Sequence, residues 1–90
     1  MRTIREHKQF KRDLKRIKSG RLDISTELVQ VLALLQADNP LPDHFHDHAL
    51  KGTWIPAREC HIRPDVLLVY LKEPGELKLL RLASHSELFE

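Results

Sequence analysis

Apolar residues recur at helical spacing in the first part of the chain and at strand spacing in the rest. Over residues 6–19, Phe10, Leu14 and Ile17 fall on one side of a 3.6-residue period with lysines and arginines between them, which predicts an amphipathic helix. Gly20 is placed to end it. A second period, Ile24, Leu28, Val31, Leu32 and Leu35, predicts another helix. The Asp23 carboxylate can accept from free backbone N–H groups at its start, and Asn39-Pro40 with Pro42 should stop it. The two read as an antiparallel hairpin with their apolar sides facing.

After Pro42 the pattern changes. Residues 55–62 predict a strand, and Arg63-Pro64-Asp65 predicts a turn. Residues 66–71 are apolar on both parities, as expected of a central strand covered on both faces. Pro74-Gly75 predicts a hairpin turn, and residues 77–82 return as a strand. Residues 2–5 suit a short edge strand and residues 84–89 a tail or helical turn. The predicted order is β-α-α-β-β-β, an α+β domain: an N-terminal strand and a two-helix hairpin packed on a small antiparallel sheet. With no repeat, linker or low-complexity segment, residues 1–90 read as a single domain.

Composition narrows the class. An apolar content of 41% in 90 residues is enough for one core, and 31% charged residues predicts high solubility. No apolar run approaches the roughly 18 residues of a membrane span, and the basic N-terminus lacks the apolar stretch of a signal peptide. Cys60, the single cysteine, excludes an internal disulfide and suits a reducing cytoplasm, the expected location. The net charge of +2 hides an asymmetry: residues 1–21 hold nine Lys/Arg against Glu6 and Asp13, while the remainder holds six against eleven acids. A basic pole of this kind is the footprint of a nucleic-acid binder, and also of a plain solvated helix face.

Five of the six histidines, His44, His46, His48, His61 and His85, lie in the second half. Imidazole both gives and takes protons near neutral pH. His61 and Asp65 flank a predicted turn and should share a concavity; His85 follows a strand expected to pair with residues 66–71; His48 leads into the sheet. Three imidazoles and a carboxylate suit RNA cleavage, one group taking the 2′-OH proton and another protonating the departing 5′-oxygen. Arg58 and Arg81, on strands otherwise fit for burial, would meet the phosphate charge, with Arg63 and Lys51 as further candidates. The bland alternative is polar surface, with the arginines paired to Glu59 or Glu87. His44, His46 and His48 on an extended segment also suit zinc or nickel, although His44 and His46 read more simply as surface. Cys60 beside His61 is no thiol nucleophile, because adjacent strand residues face opposite ways; it reads as core. Trp54 covers the core edge or stacks on a base, and Phe89 is placed to dock beside the site.

These residues taken together resemble the YafQ-type toxins of the RelE/ParE toxin–antitoxin superfamily. The resemblance is carried by Phe10-Lys11-Arg12-Asp13-Leu14-Lys15, Asp47-His48-Ala49-Leu50-Lys51-Gly52-Thr53-Trp54, Arg58-Glu59-Cys60-His61-Ile62-Arg63-Pro64-Asp65 and Arg81-Leu82-Ala83-Ser84-His85-Ser86-Glu87-Leu88-Phe89. It implies a ribosome-dependent endoribonuclease (an mRNA interferase) that cuts mRNA in the ribosomal A site, inhibiting translation. It implies no metal or other cofactor, and products ending in a 2′,3′-cyclic phosphate and a 5′-hydroxyl. The family's catalytic pattern falls on His48, His61, Asp65, His85 and Phe89. His85 would be the general acid, Asp65 or His61 the base, and His48 an assistant, while Phe89 orients a base. Arg58 and Arg81 would bind the scissile phosphate. The basic first helix, with Lys8, Lys11, Arg12 and Lys15, would hold 16S ribosomal RNA. Ala49 and Val66 stand where the family often has a proline and an aromatic, which bears on codon preference.

A cognate antitoxin is the implied partner, and an acidic, partly disordered chain fits an open basic surface; the pair would bind operator DNA through the antitoxin. Two rivals remain at this level. One is a ParE-like gyrase-directed toxin on the same fold, which does not need the acid–base residues. The other is a non-catalytic RNA-binding module using the basic helix, whose binding would survive loss of every histidine.

Overall fold

The computed structural model describes residues 1–89. The chain runs β1 (Thr3–Glu6), α1 (Lys8–Lys18), α2 (Ser25–Gln36), β2 (His48–Ala49), β3 (Arg58–Arg63), β4 (Val66–Glu73), β5 (Glu76–Ala83) and α3 (His85–Phe89). Short 3-10 turns at Asp43–Phe45 and Gly52–Trp54 flank β2. The sheet order is β1-β5-β4-β3-β2. All neighbours are antiparallel except β1, which joins the far side of β5 in parallel. The expected α+β arrangement is present, and the two-residue strand β2 is an addition the sequence pattern did not mark.

β4 is central, as its two-parity apolar run predicts. Leu68 and Tyr70 face the helices, where Phe10, Leu28, Val31 and Leu35 close the main core. Leu67 and Val69 face the other way, into a smaller cluster with Ala57, Ala83 and Leu88. Each leucine so buried contributes roughly 1.5–3 kcal/mol. The helix boundaries follow local chemistry. Asp23 Oδ1 accepts from the Ser25 N–H at 2.9 Å before α2 begins. At its end Asp38 turns left-handed, and the Asp38 and Asn39 N–H groups donate to Leu35 and Leu34 carbonyls, so the helix stops just ahead of Pro40. Gly75, at φ +73°, makes the β4–β5 turn.

β3 starts at Arg58 rather than residue 55, because the Ala57 N–H closes a turn back to Trp54 O at 2.7 Å. Two strands carry an extra residue, Ile62 on β3 and Leu80 on β5. The second bulge is pinned from α1. Asp13, buried, accepts from the Leu82 N–H at 2.9 Å, Arg81 Nε at 2.8 Å and Gln9 Nε2 at 3.1 Å. Burial pushes the Asp13 carboxyl up, but these donors outweigh it and hold it below its usual range.

Candidate active site

Strand alternation on β3 selects the groups that can meet. Cys60 and Ile62 face the helices inside the main core, so Glu59 and His61 share the opposite face. His48 lies directly across from Glu59 on β2. On the other side His61 pairs with Leu67, and Leu67 with Ala83 at the end of β5, so the chain leaving β5 delivers His85 to the same place. The short α3 that carries His85 and Phe89 is held by a capping box. The Ser84 N–H donates to Glu87 Oε1 at 2.9 Å, and the Glu87 N–H to Ser84 Oγ at 3.3 Å. Arg16 on α1 reaches the other Glu87 oxygen at 3.0 Å, and Leu88 is buried beneath.

Three imidazoles surround one carboxylate oxygen. Glu59 Oε1 is buried without a hydrogen-bond partner, 3.5 Å from His61 Nε2, 3.5 Å from His85 Nε2 and 3.8 Å from His48 Nε2. Burial holds His61 below the usual imidazole range; Glu59 opposes this, and His46, His85 and His48 reinforce it. His48 Nδ1 donates to the His46 carbonyl at 2.7 Å, which leaves its Nε2 toward Glu59. The rings form a row: His46 to His61 at 5.3 Å, His61 to His85 at 5.5 Å, His85 to Phe89 at 5.9 Å and Phe89 to Trp54 at 6.1 Å. Phe89 is exposed at the end of it, and Trp54 also packs on the smaller apolar cluster.

His48, His61, His85 and Phe89 thus come together as expected, and Asp65 does not join them. It is exposed in the β3–β4 turn, beyond the Ile62 bulge, with no ion pair or side-chain hydrogen bond among the described residues. The carboxylate that lies among the imidazoles is Glu59, expected from the sequence only as an arginine partner. The signal was available: Glu59 and His61 are two apart on one strand and must share a face. Glu59, His61 and His85 each offer one atom within 4.8 Å of the others, a donor set suited to zinc or copper.

The expected phosphate-binding cations are placed unevenly. Arg58 pairs across the sheet with Tyr70, on the helix side, and its Nη2 donates to Asp47 at 3.2 Å; Tyr70 OH donates to the same carboxylate. It is not brought to the imidazoles. Arg81 stands on the row His48–Glu59–Val69–Arg81, with Nε and Nη2 on Asp13 and no hydrogen bond from Nη1 among the described residues. Arg63 is tied to α2, by an ion pair with Glu27 and by Nη2 donating to Asp23 O at 3.2 Å. Lys51 is exposed, as are Lys8, Lys11, Arg12 and Lys15 along α1, none with an ion pair among the described residues. Cys60 is core, its thiol pushed up to about 12 by burial.

Comparisons with known proteins converge. A family model described as a bacterial toxin of type II toxin–antitoxin systems, YafQ, matches residues 2–90. The mRNA interferase toxin YafQ of Escherichia coli K12 is 30% identical over 81 residues, covering 90% of this chain and 88% of that protein. Among solved structures, a copper-bound mutant toxin from Helicobacter pylori superposes with a TM-score of 0.94 at 49% identity, covering 99% of this chain and 100% of that one. The toxin of the E. coli DinJ-YafQ complex superposes with a TM-score of 0.89 at 31% identity, covering 100% of each chain. With the family model spanning nearly every residue and the fold matched end to end, the chain belongs to the YafQ toxins of bacterial type II toxin–antitoxin systems.

Proposed function

We propose that this toxin is a ribosome-dependent endoribonuclease that cuts mRNA in the A site by metal-free acid–base chemistry, inhibiting translation in the cytoplasm. The observation that carries the reading is the meeting of three imidazole Nε2 atoms on the buried oxygen of Glu59. His61, held low by burial, is neutral near pH 7 and takes the 2′-OH proton. The 2′-oxygen attacks phosphorus, and the P–O5′ bond breaks as His85 protonates the departing 5′-oxygen. The products end in a 2′,3′-cyclic phosphate and a 5′-hydroxyl. Glu59 orients the rings and stabilises whichever one is charged, and His48 assists. Arg81 Nη1 meets the phosphate oxygens, Phe89 orients a base, and the exposed cations of α1 hold ribosomal RNA. Arg58 positions the Asp47 loop that leads into His48. Asp65 remains in the set by resemblance, reaching substrate from its turn. The DinJ-YafQ complex of the E. coli relative supports a cognate antitoxin as partner.

Purified toxin should cut a defined mRNA only on ribosomes, leaving 5′-hydroxyl ends, and should do so with a chelator that removes zinc and copper and leaves the ribosomes' magnesium in place. His85→Ala and Asp65→Ala should each suppress cutting and growth arrest; unchanged cleavage in both would remove the assignment. Because Glu59, His61 and His85 are also the metal-suited set, added copper should inhibit by occupying the nitrogens that move protons. Activation by copper would contradict the metal-free route.

A further inference from the structure

The row of rings continues past His61 to His46, and there it opens into a recess of about 770 Å³. His44, His46, His48, His61, Arg63 and Glu27 stand around it, while Phe89 and Trp54 do not. We propose that this recess is a nucleotide subsite: it takes the mRNA residue adjoining the scissile phosphate, with His44 and His46 against the base and Arg63 on the next phosphate. The proposal rests on the ribonuclease reading above.

Continuity is the first argument. His48 and His61 belong both to the proton-transfer set and to the recess wall, so a strand whose phosphate lies at those nitrogens runs into the recess. Size is the second, since cavities of roughly 300–1,000 Å³ hold small ligands and a nucleotide lies within that range. The third is chemistry. Unstacked bases in RNA are held on aromatic side chains, histidine among them. The His44 ring rests on Phe45 at 4.1 Å, and Phe45 is buried, so the platform is backed by the core. Arg63 is fixed in place by Glu27 and the Asp23 carbonyl, and that ion pair also neutralises Glu27, the one carboxylate in the wall among the described residues.

Backbone conformation adds a fourth argument. His46 is left-handed, at φ +50°, a state uncommon for residues other than glycine and one that gathers at functional positions. Its N–H closes the turn onto Asp43 O at 3.0 Å, its ring meets the edge of His61, and its carbonyl holds His48 Nδ1. One residue thereby links the recess to the proton-transfer set. The two histidines read from sequence as plain surface acquire a role in substrate choice.

The test compares wild type, His44→Ala, His46→Ala and Arg63→Gln on ribosome-bound transcripts that differ by single nucleotides around the cut. In the two histidine variants, KM for transcripts carrying the preferred base at the position adjoining the cut should rise roughly tenfold, the scale of losing one base-stacking platform, and the preference at that position should fall. Arg63→Gln should raise KM at every site. Unchanged preference in both histidine variants, or equal loss at all sites in proteins that unfold at the wild-type midpoint, overturns the proposal. A second measurement does not depend on cutting: RNA tetranucleotides titrated into His85→Ala protein should shift the NMR ring signals of His44 and His46. Absent shifts, or shifts given by an acidic antitoxin peptide and not by RNA, also overturn it. If wild type cuts nothing while RNA moves those signals, the catalytic reading fails and the subsite stands.

Discussion

Asp13 and Glu59 are both sealed from solvent, each about 1% exposed, yet the protein treats them oppositely. Asp13, at the contact of α1 with β5, is surrounded by donors: the Leu82 N–H, the Arg81 fork and Gln9. Glu59, on the open face of the sheet, has an oxygen with no hydrogen bond and three imidazoles just outside hydrogen-bond reach. A satisfied buried carboxylate ties elements together; an unsatisfied one is costly and persists where its charge is used on something that changes state. The same residue chemistry thus serves as a rivet in one region and, on the proposed function, as the counter-ion of the imidazoles in the other.

The comparison can be broken most forcefully at the rivet. Asp13→Ala leaves Arg81 and the Leu82 N–H without their partner and should cost about 3–5 kcal/mol, a large part of the roughly 5–15 kcal/mol available to a domain. Urea denaturation measures it, and an unchanged midpoint would dissolve the distinction. Glu59→Gln should do the reverse. Stability should stay within about 1 kcal/mol of wild type or rise, since a buried charge is removed, while cleavage on ribosomes falls on the order of a hundredfold. A variant that unfolds with activity intact per folded molecule would make Glu59 a second rivet.

Acid separates the two more finely. Asp13 is held below its ordinary value of 3.8, so its contribution is complete above that pH and is lost as the pH falls through the lower folded value. His61 must be neutral to act as base, and its pKa lies below 6.5, so the acid limb of kcat/KM should fall below pH 6.5. Glu59 opposes that lowering, so Glu59→Gln should move the limb to still lower pH. A limb that rises, or does not move, would deny the coupling. The smallest effect is expected of Phe89→Ala, which removes one exposed ring and should weaken cleavage mainly through KM, read from saturation curves, with the unfolding midpoint unchanged.

Much of this arrangement was legible in the residues. The helical period of Phe10, Leu14 and Ile17, the two-parity run of β4 and the turn at Gly75 each report local burial, and local burial is what periodicity encodes. His48, His61 and His85 could be gathered because they sit near strand ends. The partners of Arg58 and Arg81 could not be read this way. Leu80 is a bulge, and a bulge appears only when two strands are aligned, so neither the free Leu82 N–H nor its capture by Asp13 has a local signature. Asp65 is parted from His61 by the Ile62 bulge, which has no local signature either. Glu59 reads as a solvent-facing strand glutamate until the face it shares with His61 is known to carry a site.

The parallel pairing of β1 with β5 also has a kinetic side. Thr3 aligns with Glu76 and Glu6 with Leu79, so the strand made first on the ribosome finds its partner only after β5 has emerged. Such non-local closure raises contact order and slows the final step of folding. α1, directly after β1, waits on the same event, because Asp13 seats into a bulge of β5. The basic helix and the strand that leads to His85 are therefore tied to one long-range closure.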